Sequence, residues 1–145
     1  DESLINGFES VFPIASAQYS ELPDSGYFYG EVHICELNDG STQEEAISFL
    51  SGFTEAVANA DYSDTSYHLG NYFNVDESGG FLWANFTNSE ESMSKANTSF
   101  EASVRETMFP IFSTFASCGE VPDLYHGFTL YNADDKDFMP TFPSN

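Results

Sequence analysis

The sequence predicts an α+β fold in which two helices cover one face of a four-stranded antiparallel sheet. Three observations carry this. Residues 26–37, GYFYGEVHICEL, alternate strictly and are rich in aromatic and β-branched residues, the pattern of a strand buried on at least one side. Two other stretches place apolar residues at helical spacing behind N-cap signals. The segments YHLGNYFNV and GFLWANFT are joined by a short Asp-Glu-Ser-Gly turn, which reads as an antiparallel hairpin.

Residues 1–25 form an N-terminal arm. Leu4, Phe8, Val11 and Phe12 have helical spacing, and Pro13 would stop such a helix. The arm packs on its own domain or on a neighbouring subunit. Pro23-Asp24-Ser25-Gly26 is a turn into the first strand. In that strand Phe28, Val32 and Ile34 are assigned to the helix side. Tyr27, Tyr29, Glu31, His33 and Cys35 are assigned to the open side. Asn38-Asp39-Gly40 is a tight turn, and Ser41 then caps the first helix with Glu44 completing a capping box. Ala46, Phe49, Leu50, Phe53, Val57 and Ala60 form its apolar stripe.

The second strand is Tyr67 to Val75 and the third Gly80 to Thr87. In the third, Leu82, Ala84 and Phe86 suit the helix side, leaving Phe81, Trp83 and Asn85 on the open face. Asn88 or Ser89 caps the second helix, with Glu90 and Glu91 against the positive end of its dipole. Its stripe is Met93, Ala96, Phe100, Val104 and Met108. Pro110 must kink or end it, so Ile111, Phe112 and Phe115 belong to a short separate segment. Leu124 to Tyr131 is the fourth strand. Here His126 is in phase with Phe128 and Leu130, which directs it towards the helices. Residues 132–145 are an acidic tail, with Phe138, Met139 and Phe142 as anchors.

The element order is βαββαβ, the ferredoxin-like pattern. Right-handed crossovers then put both helices on one face, with strands in the order fourth, first, third, second. The domain spans residues 26–131.

The bulk numbers narrow the function classes. A chain of 145 residues is one domain by default, and 41% hydrophobic residues, with 15 Phe and 8 Tyr, supply a core. Asp and Glu number 24 against 3 Lys and Arg, a net charge of -21. Such a surface repels nucleic acid and anionic membranes. It suits a saline medium, where screening shortens self-repulsion. No run of about 20 apolar residues is present to insert in a membrane as a helix. The first residue is Asp1, which fits either a trimmed chain or a processed export product, the latter implying a secreted or periplasmic location. In that setting the even pair Cys35 and Cys118 suggests a disulfide, the alternative being two buried free thiols.

With its sheet face rich in aromatics, the βαββαβ unit resembles the dimeric α+β barrel superfamily, over roughly residues 26–131. The stretch CELNDGSTQEEAISFLSGF looks like a pattern of uncharacterised exported proteins of marine bacteria. The resemblance implies a homodimer formed through open sheet faces and a ligand cavity between sheet and helices. It supplies no catalytic motif that matches residue by residue.

Several constellations have the residue types of a chemical site. On the assigned faces Tyr29, Glu31, His33, Trp83 and Asn85 line a polar-aromatic surface. It is read either as a small-molecule pocket, with Tyr29, His33, Trp83 and Asn85 as binding residues, or as a dimer interface. As an enzyme site it would use His33 as acid or base, with Glu31 and Tyr29 as the other catalytic candidates. No metal or other cofactor is assigned, although two His and a Glu on adjacent strands are geometrically able to hold zinc or iron. Asp61/Asp64, Asp76/Glu77 and Asp134/Asp135/Asp137 are acidic loop clusters with oxygen ligands of the type calcium takes. No nucleophile-elbow, phosphate-loop or dinucleotide-binding motif occurs.

Three functions remain in view. One is an exported acidic α+β protein that binds or assembles through its open sheet face. Another is a small cofactor-independent oxygenase- or isomerase-like enzyme with a His33/Trp83 cavity. The last is an extracellular structural subunit that uses its N-terminal arm.

Overall fold

The strongly alternating segment forms a strand over Tyr27–Leu37 (β2) and occupies the middle of the sheet. Its companions are Phe8–Val11 (β1), His68–Asn74 (β3), Gly80–Thr87 (β4), Ala116–Cys118 (β5) and Asp123–Phe128 (β6). The computed structural model describes residues 8–11, 27–60, 68–74, 79–128, 137 and 139, with backbone alone for 8–11, 68 and 74. All six strands join one sheet, and every pairing is antiparallel. Along one side of β2 lies β4, followed by β3 and then β1 at the edge. The other side is shared, with β6 pairing Tyr27 to Val32 and β5 pairing Cys35 to Leu37. The chain is therefore α+β with an antiparallel sheet. Two of its strands, β1 and β5, go beyond the four expected.

β1 corrects the reading of the arm. Its four residues are extended and pair with Asn71 to Asn74 of β3, so they are not helical. A helix stopped at Pro13 would be too short to offset its nucleation cost, whereas the outer edge of β3 offers ready backbone partners. The fourth strand is described only to Phe128, and 129–131 lie outside the described residues.

Helix α1 spans Gln43–Asn59, and its N-cap is Thr42 with Glu45 as the reciprocal partner. Ser41 sits one residue too early, because its N–H closes the preceding turn on the Asn38 carbonyl at 2.9 Å. Gly40 takes φ 84° in that turn, a conformation that costs glycine little. Ala46, Phe49, Leu50, Phe53 and Val57 are buried, as the stripe predicts.

The second helical rod runs without a break through Glu90–Ser99 (α2), a π turn over Phe100–Val104, and Arg105–Phe115 (α3). Ser89 is its N-cap. The π turn explains how the stripe stays on one face. From Ala96 through Phe100 and Val104 to Met108 the apolar residues recur every fourth position. On a regular helix each such step overshoots by about 40°. The extra residue of the π turn, where the Arg105 N–H reaches the Phe100 carbonyl, gives back about 100°. Ala96, Val104 and Met108 are consequently all buried in one core.

Pro110 neither ends the helix nor separates a segment, since α3 passes through it. The carbonyl it deprives of a partner is that of Glu106, one turn earlier. Both residues are exposed, on the side of the helix that solvent reaches. At the far end of α3, the Asn38 N–H bonds the Phe115 carbonyl at 2.8 Å and the Asn38 side-chain amide bonds that of Ser113 at 3.1 Å.

The helices cover the face opposite to the one assigned from sequence. Trp83 packs on Phe53, Phe49 and Phe112, with ring centroids 5.0, 6.2 and 5.7 Å away. Cys35 and Phe81 lie in the same core and are 1% and 2% exposed. The odd-numbered residues of β2 and β4 thus face the helices, whereas Ile34 is 62% exposed. Alternation fixes which residues share a face but not which face is covered. Trp83 and Phe81 bring the larger aromatic area under the helices, although Ala84 on the other face is also buried, at 2% exposed.

Cys35 and Cys118 are cross-strand partners in β2 and β5 and form a disulfide across a sequence separation of 83. A loop of that length restricts the unfolded chain by about 4.6 kcal/mol in the chain-entropy treatment. A Cys35→Ala/Cys118→Ala variant is expected to lose about 2–5 kcal/mol of unfolding free energy in urea titration. A loss below about 1 kcal/mol would show that the unfolded chain is already compact.

Candidate functional site

The N-terminal half of β2 presents Tyr27, Tyr29 and Glu31 on the helix side of the sheet. Across the ladder from these stand Phe128, His126 and Leu124 of β6. The Tyr27 hydroxyl and His126 Nδ1 share a hydrogen bond of 2.6 Å. The His126 ring also meets the Tyr29 ring edge-on, at 5.4 Å between centroids. His126 thus lies on the helix-side face, in phase with Phe128 as its position in the strand predicts.

Glu31 reaches α2. The Asn97 side-chain amide donates to both its carboxylate oxygens, at 3.1 and 3.4 Å. Between them β2 and α2 leave an open cleft of ≈ 730 Å³. Tyr29 and Glu31 line the sheet wall; Glu90, Ser94, Asn97 and Glu101 are among the residues of the helix wall. Tyr29 is only 5% exposed. Its phenol is held above the ordinary tyrosine pKa, first by burial and then by the negative charge of Glu31 and Glu90, with a further contribution from Tyr27. At neutral pH Tyr29 is therefore a neutral hydroxyl beside two anions. The cleft is rich in hydrogen-bond acceptors and suited to holding a cation or a donor-rich ligand.

The residues expected to form the site are divided by the fold. Glu31 faces Asn85 and His33 faces Trp83 in successive same-face pairs of the β2–β4 ladder, with Val32 and Ala84 paired between them on the other face. Their roles differ. Trp83 is part of the aromatic core, and its indole N–H donates to Asn85 Oδ1 at 3.0 Å. His33 Nδ1 lies 3.4 Å from the Gly119 carbonyl, beside the disulfide strand. Tyr29 and Glu31 alone of the group open into the cleft. Glu90, Asn97 and Glu101 were not picked out from sequence as site residues. The signal was present in their spacing: positions 90, 97 and 101 fall on one helical face. Glu90 was taken only as a partner of the helix dipole.

Among the described residues, no group of three His, Cys, Asp or Glu side chains is arranged to hold a metal ion. The acidic loop clusters lie outside the described residues, except for Asp137, which is exposed. Among the described residues, no helix is long and apolar enough to cross a membrane. No family model, curated protein sequence or solved structure matches the chain.

One buried polar atom stands apart from the cleft. Asn71 of β3 is 2% exposed, opposite Trp83 in the ladder, and its Nδ2 has no hydrogen-bond partner among the described residues. An unsatisfied buried amide is a cost to the fold. Asn71→Leu is expected to raise the unfolding free energy by about 1–2 kcal/mol in urea titration. A destabilised variant would mean that the amide is satisfied in solution.

The Tyr29 phenol is expected to titrate above the ordinary value of about 10 when followed by ultraviolet absorbance, and Glu31→Gln is expected to bring it down. The sign for stability follows from linkage. The unfolded chain loses this proton first, so the contribution is complete below about pH 10 and is lost as pH rises through the folded-state value. A phenol in wild type that titrates as in a free peptide would contradict the burial of Tyr29.

Proposed function

We propose that this protein is an exported acidic module with a binding or assembly role, pairing with a second copy through the sheet face turned away from its helices. The observation that carries this reading is the composition of that face. It presents Phe28, Val32 and Ile34 of β2, Leu82 and Phe86 of β4, and Tyr125 of β6. Two exposed carboxylates, Glu36 of β2 and Asp123 of β6 opposite Val32, share this face, so it is largely apolar in a chain that carries -21 as a whole. Two such chains repel each other over most of their surfaces. A largely apolar face with few carboxylates is where they can meet at low electrostatic cost, with apolar burial as the gain.

The same face explains a glycine. A Cβ at Gly127 would overlap the Phe28 ring, so glycine lets that ring lie flat across β6. Phe28 also meets Phe86 edge-on at 5.5 Å. The neighbour order β6–β2–β4–β3 supports reading the sheet as a ferredoxin-like βαββαβ unit with β1 and β5 added. Export is supported by the disulfide, which persists in oxidising compartments, and the acidic surface is compatible with a saline medium. The arm reading gains no support from β1, which pairs with β3 of its own chain. A small-molecule or enzymatic pocket is the second reading. It rests on the Tyr29 cleft and no longer on Trp83, which is committed to the core.

Sedimentation velocity tests the first reading. Wild type is expected to sediment as a dimer and Ile34→Lys as a monomer, with dimerisation weakened by about 2–4 kcal/mol. Because Ile34 is exposed, the thermal midpoint of the monomer should be little changed. A wild-type chain that stays monomeric across the micromolar range would sink the proposal.

A further inference from the structure

We propose that ionic strength switches this protein between monomer and dimer: dilute salt holds two copies apart, and saline lets them close through the sheet face turned away from the helices. This rests on the dimer reading and adds what regulates it. The occupant of the face is a second copy because charge sorts the partners. A cationic partner is drawn first to the acidic helices, whereas an acidic one approaches where carboxylates are sparse.

The sign of the salt effect is set by where the cations lie. The chain has 3 Lys and Arg against 24 Asp and Glu. Lys95 pairs with Glu91 at 3.1 Å and Arg105 with Glu101 at 2.8 Å, both within the helical rod on the other side of the sheet. Strands β2, β4 and β6 contain no Lys or Arg. Two copies meeting through these strands gain apolar contacts and set Glu36 and Asp123 against their counterparts, with no opposite charge to pair. Salt therefore has no attraction to weaken there and only repulsion to remove. Interfaces built on opposite charges loosen as salt rises; this one tightens.

The reach of the repulsion follows from screening. At 0.01 M salt the Debye length is about 30 Å, longer than the about 25 Å of the 17-residue helix α1. Acids on the helices of one copy then act on those of the other through both sheets, and the repulsion grows as the square of the charge. Near 1 M the length is about 3 Å, and only carboxylates at the face itself still count. Distant charge thus governs the low-salt state, and Glu36 and Asp123 govern the repulsion left in saline. The contacts of Phe28, Val32, Ile34 and Phe86 carry no charge to screen.

Sedimentation equilibrium of the full chain at 0.01 M and 0.5 M sodium chloride tests the switch. The dimer dissociation constant is expected to fall about a hundredfold or more between them. Glu55→Lys/Glu106→Lys, which reverses two exposed charges on the helices, should tighten the dimer about tenfold or more at 0.01 M and less than about twofold at 0.5 M. Glu36→Gln/Asp123→Asn should tighten it at both. Sodium thiocyanate should also promote the dimer, because screening depends on ionic strength whereas salting-out of apolar surface depends on the salt chosen. Far-ultraviolet circular dichroism should agree at the two salt concentrations, making the low-salt species a folded monomer. A dissociation constant that moves less than about threefold with salt would overturn the switch and leave the dimer standing. The same holds for helix substitutions without effect at 0.01 M, for thiocyanate that fails to promote the dimer, and for a chain that unfolds in 0.01 M salt. A chain still monomeric at 0.5 M would instead remove the dimer reading itself.

Discussion

The packing of Trp83 against Phe53, Phe49 and Phe112 is the contact on which the rest of the molecule depends. It fixes the sheet's covered side. Strand alternation then carries that decision across the ladder: Cys35 and Phe81 go into the core, Glu31 goes beneath α2, and Ile34 goes outward. The π turn serves the same end. By rewinding a four-residue repeat it keeps Val104 and Met108 in the core that also holds Phe49 and Phe53. Aromatic area in this cluster supplies much of the apolar burial in a chain that carries few cations for ion pairing.

The two sides of the sheet differ in what they present, although Glu36 and Asp123 put two carboxylates on the far side as well. The helix side carries the cleft, where Glu31 and Glu90 raise the pKa of Tyr29. The far side presents Phe28, Val32 and Ile34 without a charge among them. This segregation follows from a strict period of two in β2, because each face receives every second residue. A one-residue slip of that strand would exchange the two surfaces and carry Cys35 out of the core. Its long ladder with β4 and the covalent tie at Cys35 both oppose such a slip.

Much of this architecture was legible in the residues, and the failures have physical causes. Helix and strand positions followed from periodicity, and the cysteine pair from an even count without a metal-type spacing. The covered face was misread because β2 is amphipathic in neither sense. Phe28, Val32 and Ile34 oppose Tyr27, Tyr29 and Cys35, and tyrosine was counted as polar although Tyr29 is buried. The capping box slipped by one residue since Ser41/Glu44 and Thr42/Glu45 both satisfy the motif, and only the hydrogen bond from Ser41 to Asn38 decides between them. β1 was hidden because a four-residue strand has too few positions to reveal a period. The site was half legible. Tyr29 and Glu31 were named, but their partners Glu90 and Asn97 belong to an element far away in sequence, and nothing local announces that contact.

The disulfide closes a covalent ring from Cys35 to Cys118 that contains both helical rods and the β3–β4 hairpin. Most of β2, together with β1 and β6, lies outside it. A single backbone cut anywhere in the ring leaves the two pieces joined, so one protease event cannot release a fragment. Outside a cell, where peptide bonds are attacked and cannot be resynthesised, such a molecule keeps its parts after nicking. Its durability there would be governed by the thiol–disulfide balance of the surroundings as much as by its folding free energy.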